Sequence, residues 1–478
     1  MRRSSLLELA VLILILALAF YTAAIPHLTY PYPVHIDEWL HLANARAVQA
    51  ADSAAYLDPF MGSSTVGLGS NLEIGFLMFW SAFQSISGLD WLIIVRWFPP
   101  IVFMATVLCV YVLGRREGYG LEAAFFASLV PTTVGILGPG FWVPVALALP
   151  IIPLSLFLVF NYRSWWSYAL LFVFISFLLA LHAATAVGLI IILAPYILLN
   201  LRGDFKKSLG MGLAIAMPFL ALFPWIFRML APTAKELLTP QPFPTWVDIP
   251  SIIRHFGYLP IAASLAGCFV LAIKGGRKNY ALVLGLLALL ATLVVFFSFQ
   301  YGVEIMYERG LLYLMLMLSI LAGAGLAAVR KFQLPDGLSR KLPSVLPRVI
   351  SVTLCLVLVG VTLAIAIPHR QKTPYYHMID QADYEAFVWI KENINGNYKR
   401  ALLDPWKATA FVAITQKSVY SRIHVSPLPR DLKAYQVLAD NVSDTAFLKD
   451  NGISIVYTRQ VLDNSDLIKV RENVYLLK

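Results

Sequence analysis

The chain has 478 residues, 59% of them hydrophobic and only 13% charged, with a formal net charge of +10. Soluble domains hold about 45–50% apolar and about 25% charged residues, so these figures exclude an ordinary soluble protein, a disordered chain and a disulfide scaffold. No P-loop or dinucleotide glycine fingerprint occurs, which withdraws support from the common nucleotide-dependent enzymes. Cys109, Cys268 and Cys355 all lie in long apolar runs, where neither a disulfide framework nor a thiolate zinc site is expected.

A membrane helix needs about 20 mainly apolar residues. Stretches of that kind are 6–25, 95–114, 121–137, 143–160, 167–181, 184–200, 209–227, 258–273, 280–298, 309–329 and 349–367. The first follows Met1-Arg2-Arg3 and reads as an uncleaved anchor, since its apolar run exceeds a signal-peptide core. The segment 72–88 is ambiguous, and charge parity decides it. If it does not cross, sixteen Lys and Arg fall on the N-terminal side of the membrane. Only Arg46, Arg96, Arg228, Lys235, Arg254 and Arg309 fall opposite, up to residue 367. That asymmetry obeys the positive-inside rule and makes the N-terminus cytoplasmic. Segment 72–88 is then expected to lie along the outer leaflet as an interfacial helix, with Phe76, Phe79, Trp80 and Phe83 toward lipid or protein. The basic excess is membrane orientation, and no nucleic-acid partner is expected.

The expected architecture is a polytopic α-helical membrane protein of about 11 transmembrane helices. Residues 1–367 form the membrane domain, with a first external loop at 26–94. Residues 368–478 form a small C-terminal extracytoplasmic α/β domain. In that tail an amphipathic helix (Tyr384 to Ile394) precedes the strand-like KRALLD and a second helix from Pro405. The runs SVYS, ISIVYT and NVYLL then read as strands.

Chemistry-bearing residues collect on the outer side. His35-Ile36-Asp37-Glu38-Trp39-Leu40-His41 places two acids and two histidines about ten residues after the first crossing. If the run is helical from Asp37, Asp37 and His41 share a face. The simpler reading is that Asp37 and Glu38 favour a helix N-terminus. A second cluster, Glu304, Glu308 and Arg309, opens the helix 309–329. Charges at a membrane boundary are costly unless they face a polar cavity or one another, so Arg309 either binds a phosphate or pairs with Glu304 or Glu308. His182 closes the crossing 167–181, as a packing residue or a ligand. Arg228, Lys235, Arg254 and His255 could rim an anionic headgroup, or simply snorkel. Asn441-Val442-Ser443 is the one N-glycosylation sequon.

This order of features resembles the GT-C glycosyltransferases of the protein O-mannosyltransferase and oligosaccharyltransferase type. HIDEWLHLANARAV (35–48) is similar to their first-loop acidic motif, and residues 88–131 are similar to their second and third crossings. YERGLLYLMLMLSILAGAGLAAV (307–329) resembles their late helix opening with an acid and an arginine. The resemblance implies transfer of a sugar from a polyprenyl-phosphate donor, embedded in the lipid bilayer, to a protein, glycan or lipid acceptor on the extracytoplasmic face, with inversion. It assigns Asp37 as general base beside Glu38. Arg309, with His182 and Arg254, would bind the donor phosphate, supported by His41, Glu304 and Glu308. The family's WWDYG signature is absent, and the loop 137–142 carries no acid, which argues against N-linked oligosaccharide transfer. Asp37, His41 and Glu304 could still assemble a weak Mg2+ or Mn2+ site. A transporter or flippase of lipid-linked saccharide, or a non-catalytic subunit of a glycosylation complex, would share much of this pattern.

Overall fold

The computed structural model describes residues 3–62, 64–66, 71–230, 247–300, 304–331, 346–423 and 427–478. The chain forms two compact units. One comprises Met1–Thr29 and Trp97–Pro374; the other comprises Tyr30–Arg96 and Tyr375–Lys478.

The first unit is a helical membrane domain. Among the described residues of the whole chain, seven helices are long and apolar enough to cross a bilayer, or eight counting a bent pair. They are Leu6–His27, Trp91–Arg115, Pro144–Asn161, Ala183–Leu201, Arg277–Phe299, Glu308–Arg330 and Val349–Gln371. The pair Pro250–Phe256 and Tyr258–Lys274 bends by 111° at Gly257, whose φ is +101°. The protein is therefore a multi-pass membrane protein. Among the described residues a count of eleven is not confirmed, because several apolar runs are broken or just under crossing length. The run 121–137 is helical only over Gly120–Ala127. Eight residues span about 12 Å, far less than the hydrocarbon thickness. Pro131, Gly138, Pro139 and Gly140 end the helical run, and residues 128–143 continue as a non-helical segment packed inside the unit, buried except at Val134 and Gly135. Trp165–Leu181 and Phe205–Ala221 have 17 residues each.

Helix Glu304–Arg330 is the axis of this unit. In its apolar window 83% of residues are buried, against 22% for Val349–Gln371. Small residues let its neighbours close in: a Cβ on Gly267 would lie 1.8 Å from the Leu321 carbonyl, and one on Gly325 would lie 2.1 Å from that of Ala263. Backbone approach of this kind drives helix packing where lipid offers no hydrophobic gain. Four ion pairs tie the ends of these helices: Glu8–Arg115 (2.9 Å), Asp204–Arg163 (3.0 Å), Glu117–Lys278 (3.3 Å) and Glu122–Arg330 (2.5 Å). Every one joins residues that charge parity assigns to the same, N-terminal side.

The second unit joins the first loop to the tail. Helix Ile36–Ala51 buries Trp39, Leu42, Ala43, Ala45 and Val48, more than half of its circumference. Helix Ile74–Ser87 packs on it, with Phe76 and Trp80 buried, Phe79 exposed, and Ser81 donating to the Ala45 carbonyl (2.7 Å). Between them a short hairpin pairs β1 (Tyr56–Leu57) with β2 (Thr65–Val66). The tail is α/β, as expected. Its sheet comprises β3 (Arg400–Leu402), β4 (Ser418–Val419), β5 (Ile455–Tyr457), β6 (Leu467–Arg471) and β7 (Val474–Leu477) in the order β4-β3-β5-β7-β6. β3 pairs in parallel with β4 and β5, while β7 is antiparallel to β5 and β6. Helices Gln381–Asn393, Ala408–Thr415, Pro429–Ala439 and Thr445–Asp450 accompany the sheet. Leu402, Val437, Leu448, Val456 and Tyr475 share one core cluster.

Candidate active site

The acidic motif of the first loop is built around a helix N-terminus. His35 is the N-cap, and its Nδ1 accepts the Asp37 N–H at 3.1 Å. Glu38 closes the capping box, its Oε2 accepting the N–H groups of His35 (3.0 Å) and Val34 (2.8 Å). Glu38 is fully buried. Of the two neighbouring acids, Asp37 is the one that reaches the surface, its side chain 19% exposed and its Oδ2 3.7 Å from His35 Nδ1. His41, one turn on, is buried against Phe76 and lies 3.8 Å from Glu73. The His35 ring is 5.3 Å from Tyr376, an exposed aromatic 6.0 Å from Trp406. Tyr376 is anchored by its N–H, which donates to the Val34 carbonyl (3.3 Å). Sequence spacing could not reveal Glu73 or Tyr376, because both partners arrive from other elements.

In the membrane unit Arg309 lies near the start of the axial helix and is almost wholly buried. Its Nη1 donates to the carbonyls of Ile136 (3.2 Å) and Gly135 (3.4 Å) and to Glu308 Oε2 (3.2 Å). Among the described residues its hydrogen bonds all leave from Nη1. One turn along, Tyr313 meets His182 in a buried network. Thr185 Oγ1 is 2.8 Å from His182 Nδ1 and 2.7 Å from Tyr313 Oη, and that Oη is 3.3 Å from His182 Nδ1. Gly188 makes room for the Tyr313 ring: a Cβ there would lie 2.7 Å from it. Thr185 and Tyr313 carry no motif, and only the fold reveals them.

Arg254 is largely exposed and reaches Asp248 (2.5 Å) and Ser251 (2.8 Å) on its own segment. Hydrogen bonds from Ser251 lower the Asp248 carboxyl below its ordinary range, outweighing burial, with help from Arg254. Lys235 and the side chains of Arg228 and Glu304 lie outside the described residues. Of the residues offered for a divalent metal, Asp37 and His41 are described, whereas the Glu304 side chain lies outside the described residues. His41 is turned to Glu73, and among the described residues no three His, Cys, Asp or Glu side chains converge.

No protein-family model matches the sequence, and none of the curated proteins is similar to it. Solved structures are. The Archaeoglobus fulgidus oligosaccharyltransferase in its apo form superposes with a TM-score of 0.68 at 12% identity, over 94% of this chain and 69% of that one. The oligosaccharyltransferase AglB from the same organism, in complex with an inhibitory peptide and a dolichol-phosphate, gives 0.64 at 13%, over 95% and 70%. ArnT from Cupriavidus metallidurans, bound to undecaprenyl phosphate, gives 0.59 at 11%, over 98% of this chain and 97% of that one. The chain thus has the fold of the GT-C membrane glycosyltransferases, a polytopic helical domain with a C-terminal α/β domain, as its motifs implied.

Proposed function

We propose that the protein is a membrane glycosyltransferase that moves a sugar from a polyprenyl-phosphate donor to an acceptor hydroxyl on the extracytoplasmic face. The observation that carries the reading is the division of labour at residues 35–38. His35 and Glu38 are consumed in fixing the helix start, and they hold Asp37 at the surface in a set position.

In the proposed reaction Asp37 accepts the acceptor's hydroxyl proton as that oxygen attacks the anomeric carbon. The bond from that carbon to the phosphate oxygen breaks on the opposite face, giving inversion, and its electron pair leaves with the polyprenyl phosphate. Arg309 offers its guanidinium to the charge that gathers on the phosphate. His182 is shared with Thr185 and Tyr313 one turn away and serves to position the helix that carries Arg309. Arg254 would have to exchange Asp248 for the phosphate, which makes it the weaker of the two cations for that task. Glu38 acts through Asp37, as a positioning residue. The charge asymmetry supports a cytoplasmic N-terminus and an outward tail.

The deciding experiment uses membranes supplied with a radiolabelled polyprenyl-phosphate sugar. Asp37→Asn keeps the side-chain volume and the backbone N–H that His35 holds. Its transfer rate is expected to fall roughly 100-fold or more, the usual share of a general base. Wild-type transfer by this variant would remove Asp37 from the chemistry.

A further inference from the structure

The first-loop and tail unit carries an open cavity of about 800 Å3, a size usual for small-ligand sites. Four cations line it: Arg46, Lys399, Arg400 and Lys417. Asp58, the one acid among its described lining residues, is engaged in a turn, Oδ1 accepting the N–H groups of Phe60 (2.8 Å) and Met61 (3.3 Å).

Backbone carbonyls, rather than carboxylates, hold three of the cations. Arg46 donates to the Ala413 carbonyl (2.5 Å). Arg400 donates to those of Asn451 (2.8 Å) and Met61 (3.1 Å), and Lys417 to those of Asn395 (3.1 Å) and Tyr398 (3.0 Å). Lys399 is exposed. A carbonyl fixes a cation without cancelling its charge, so the cavity is both preorganised and electropositive.

The occupant is not an added peptide strand. The edge of β4 that borders the cavity is already used, because the Val419 N–H donates to the Phe60 carbonyl (3.1 Å). Tyr398, Gln416 and Ser418 supply instead an aromatic face, an amide and a hydroxyl, the groups that pair with sugar rings and their hydroxyls. We propose that this cavity binds an acidic saccharide, one whose rings carry a carboxylate or a phosphate. The inference goes beyond sugar transfer and does not depend on Asp37 acting as a base, since binding alone reads it.

The test titrates the full chain in nanodiscs with a trigalacturonate, a neutral galactose trisaccharide and a phosphorylated trisaccharide. An acidic form is expected to bind about ten-fold or more tighter than the neutral one, and to weaken as salt rises. The tighter of the two acidic forms names the charged group. Lys399→Gln combined with Lys417→Gln should cost roughly ten-fold in affinity, with the melting temperature reporting the fold. If Lys417→Gln does not fold, Lys399→Glu alone decides, because its side chain is exposed. Equal binding of the neutral sugar, no binding by any of the three, or full affinity in the variants would overturn the proposal.

Discussion

Each unit of the molecule buries a charge, and the two burials differ in kind. In the tail, Asp383 is 1% exposed and filled from every direction. Lys407 Nζ reaches both its oxygens (2.7 and 2.9 Å), and Tyr457 Oη (2.6 Å) and Arg459 Nη2 (3.0 Å) donate to Oδ1. The Asp380 N–H adds a bond to Oδ2 (3.1 Å). In the membrane unit, Arg309 is nearly as deep, yet among the described residues it commits one of its three guanidinium nitrogens. A buried charge that is fully paired holds structure together. One left with open donors costs folding energy unless a ligand uses them, so it marks a candidate for chemistry.

The comparison breaks first at Asp383. Asp383→Ala leaves Lys407 without its carboxylate and strips Tyr457 of its acceptor, and the fold should lose about 3–5 kcal/mol. Thermal unfolding of the full chain in detergent reads the loss, while transfer per folded molecule stays at the wild-type level. A variant that melts normally but transfers poorly would reverse the assignment of the two sites. Arg309→Ala is the mirror image. Its transfer from the lipid-phosphate donor should drop roughly 100- to 1000-fold, the usual cost of one preorganised donor to a developing anion. Arg309→Lys restores the charge but not the fork, and should recover only part of that. Unchanged kcat/KM in the alanine variant would make Arg309 a packing residue.

The same contrast explains what could be read before the fold was known. Strands β3, β4, β5 and β7 announce themselves as short apolar runs, and the Asp37 motif stands out by composition. β6 does not: Ile468, Lys469 and Val470 are exposed on an edge strand, so its sequence shows no clean alternation. The run 121–137 misleads because hydropathy cannot distinguish a crossing helix from an apolar loop packed in protein. Arg309 was legible as a charge, but its partners were not, since the carbonyls of Gly135 and Ile136 have no residue signature. His182 was legible too, while Thr185 and Tyr313 lie on separate crossings and only packing brings the tyrosine to it.

The smallest effect sharpens the comparison at its polar edge. Asp380 caps helix Gln381–Asn393 by accepting the Asp383 N–H (2.9 Å) and is about half exposed. Burial would raise its carboxyl, but the Arg459 guanidinium at 2.5 Å, the Asp383 N–H and Lys407 outweigh that and hold it at about 2, against an ordinary 3.8. The folded state therefore binds this proton less readily than the unfolded chain does. The resulting stabilisation is complete above about pH 4 and is lost as pH falls toward about 2. Solvent screening at so exposed a group limits it to about 1 kcal/mol or less. Asp380→Asn keeps the N-cap while deleting the titrating charge. The melting temperature of the variant should fall less steeply than that of the wild type across this window. An identical acid slope in both would place the pH sensitivity elsewhere in the chain.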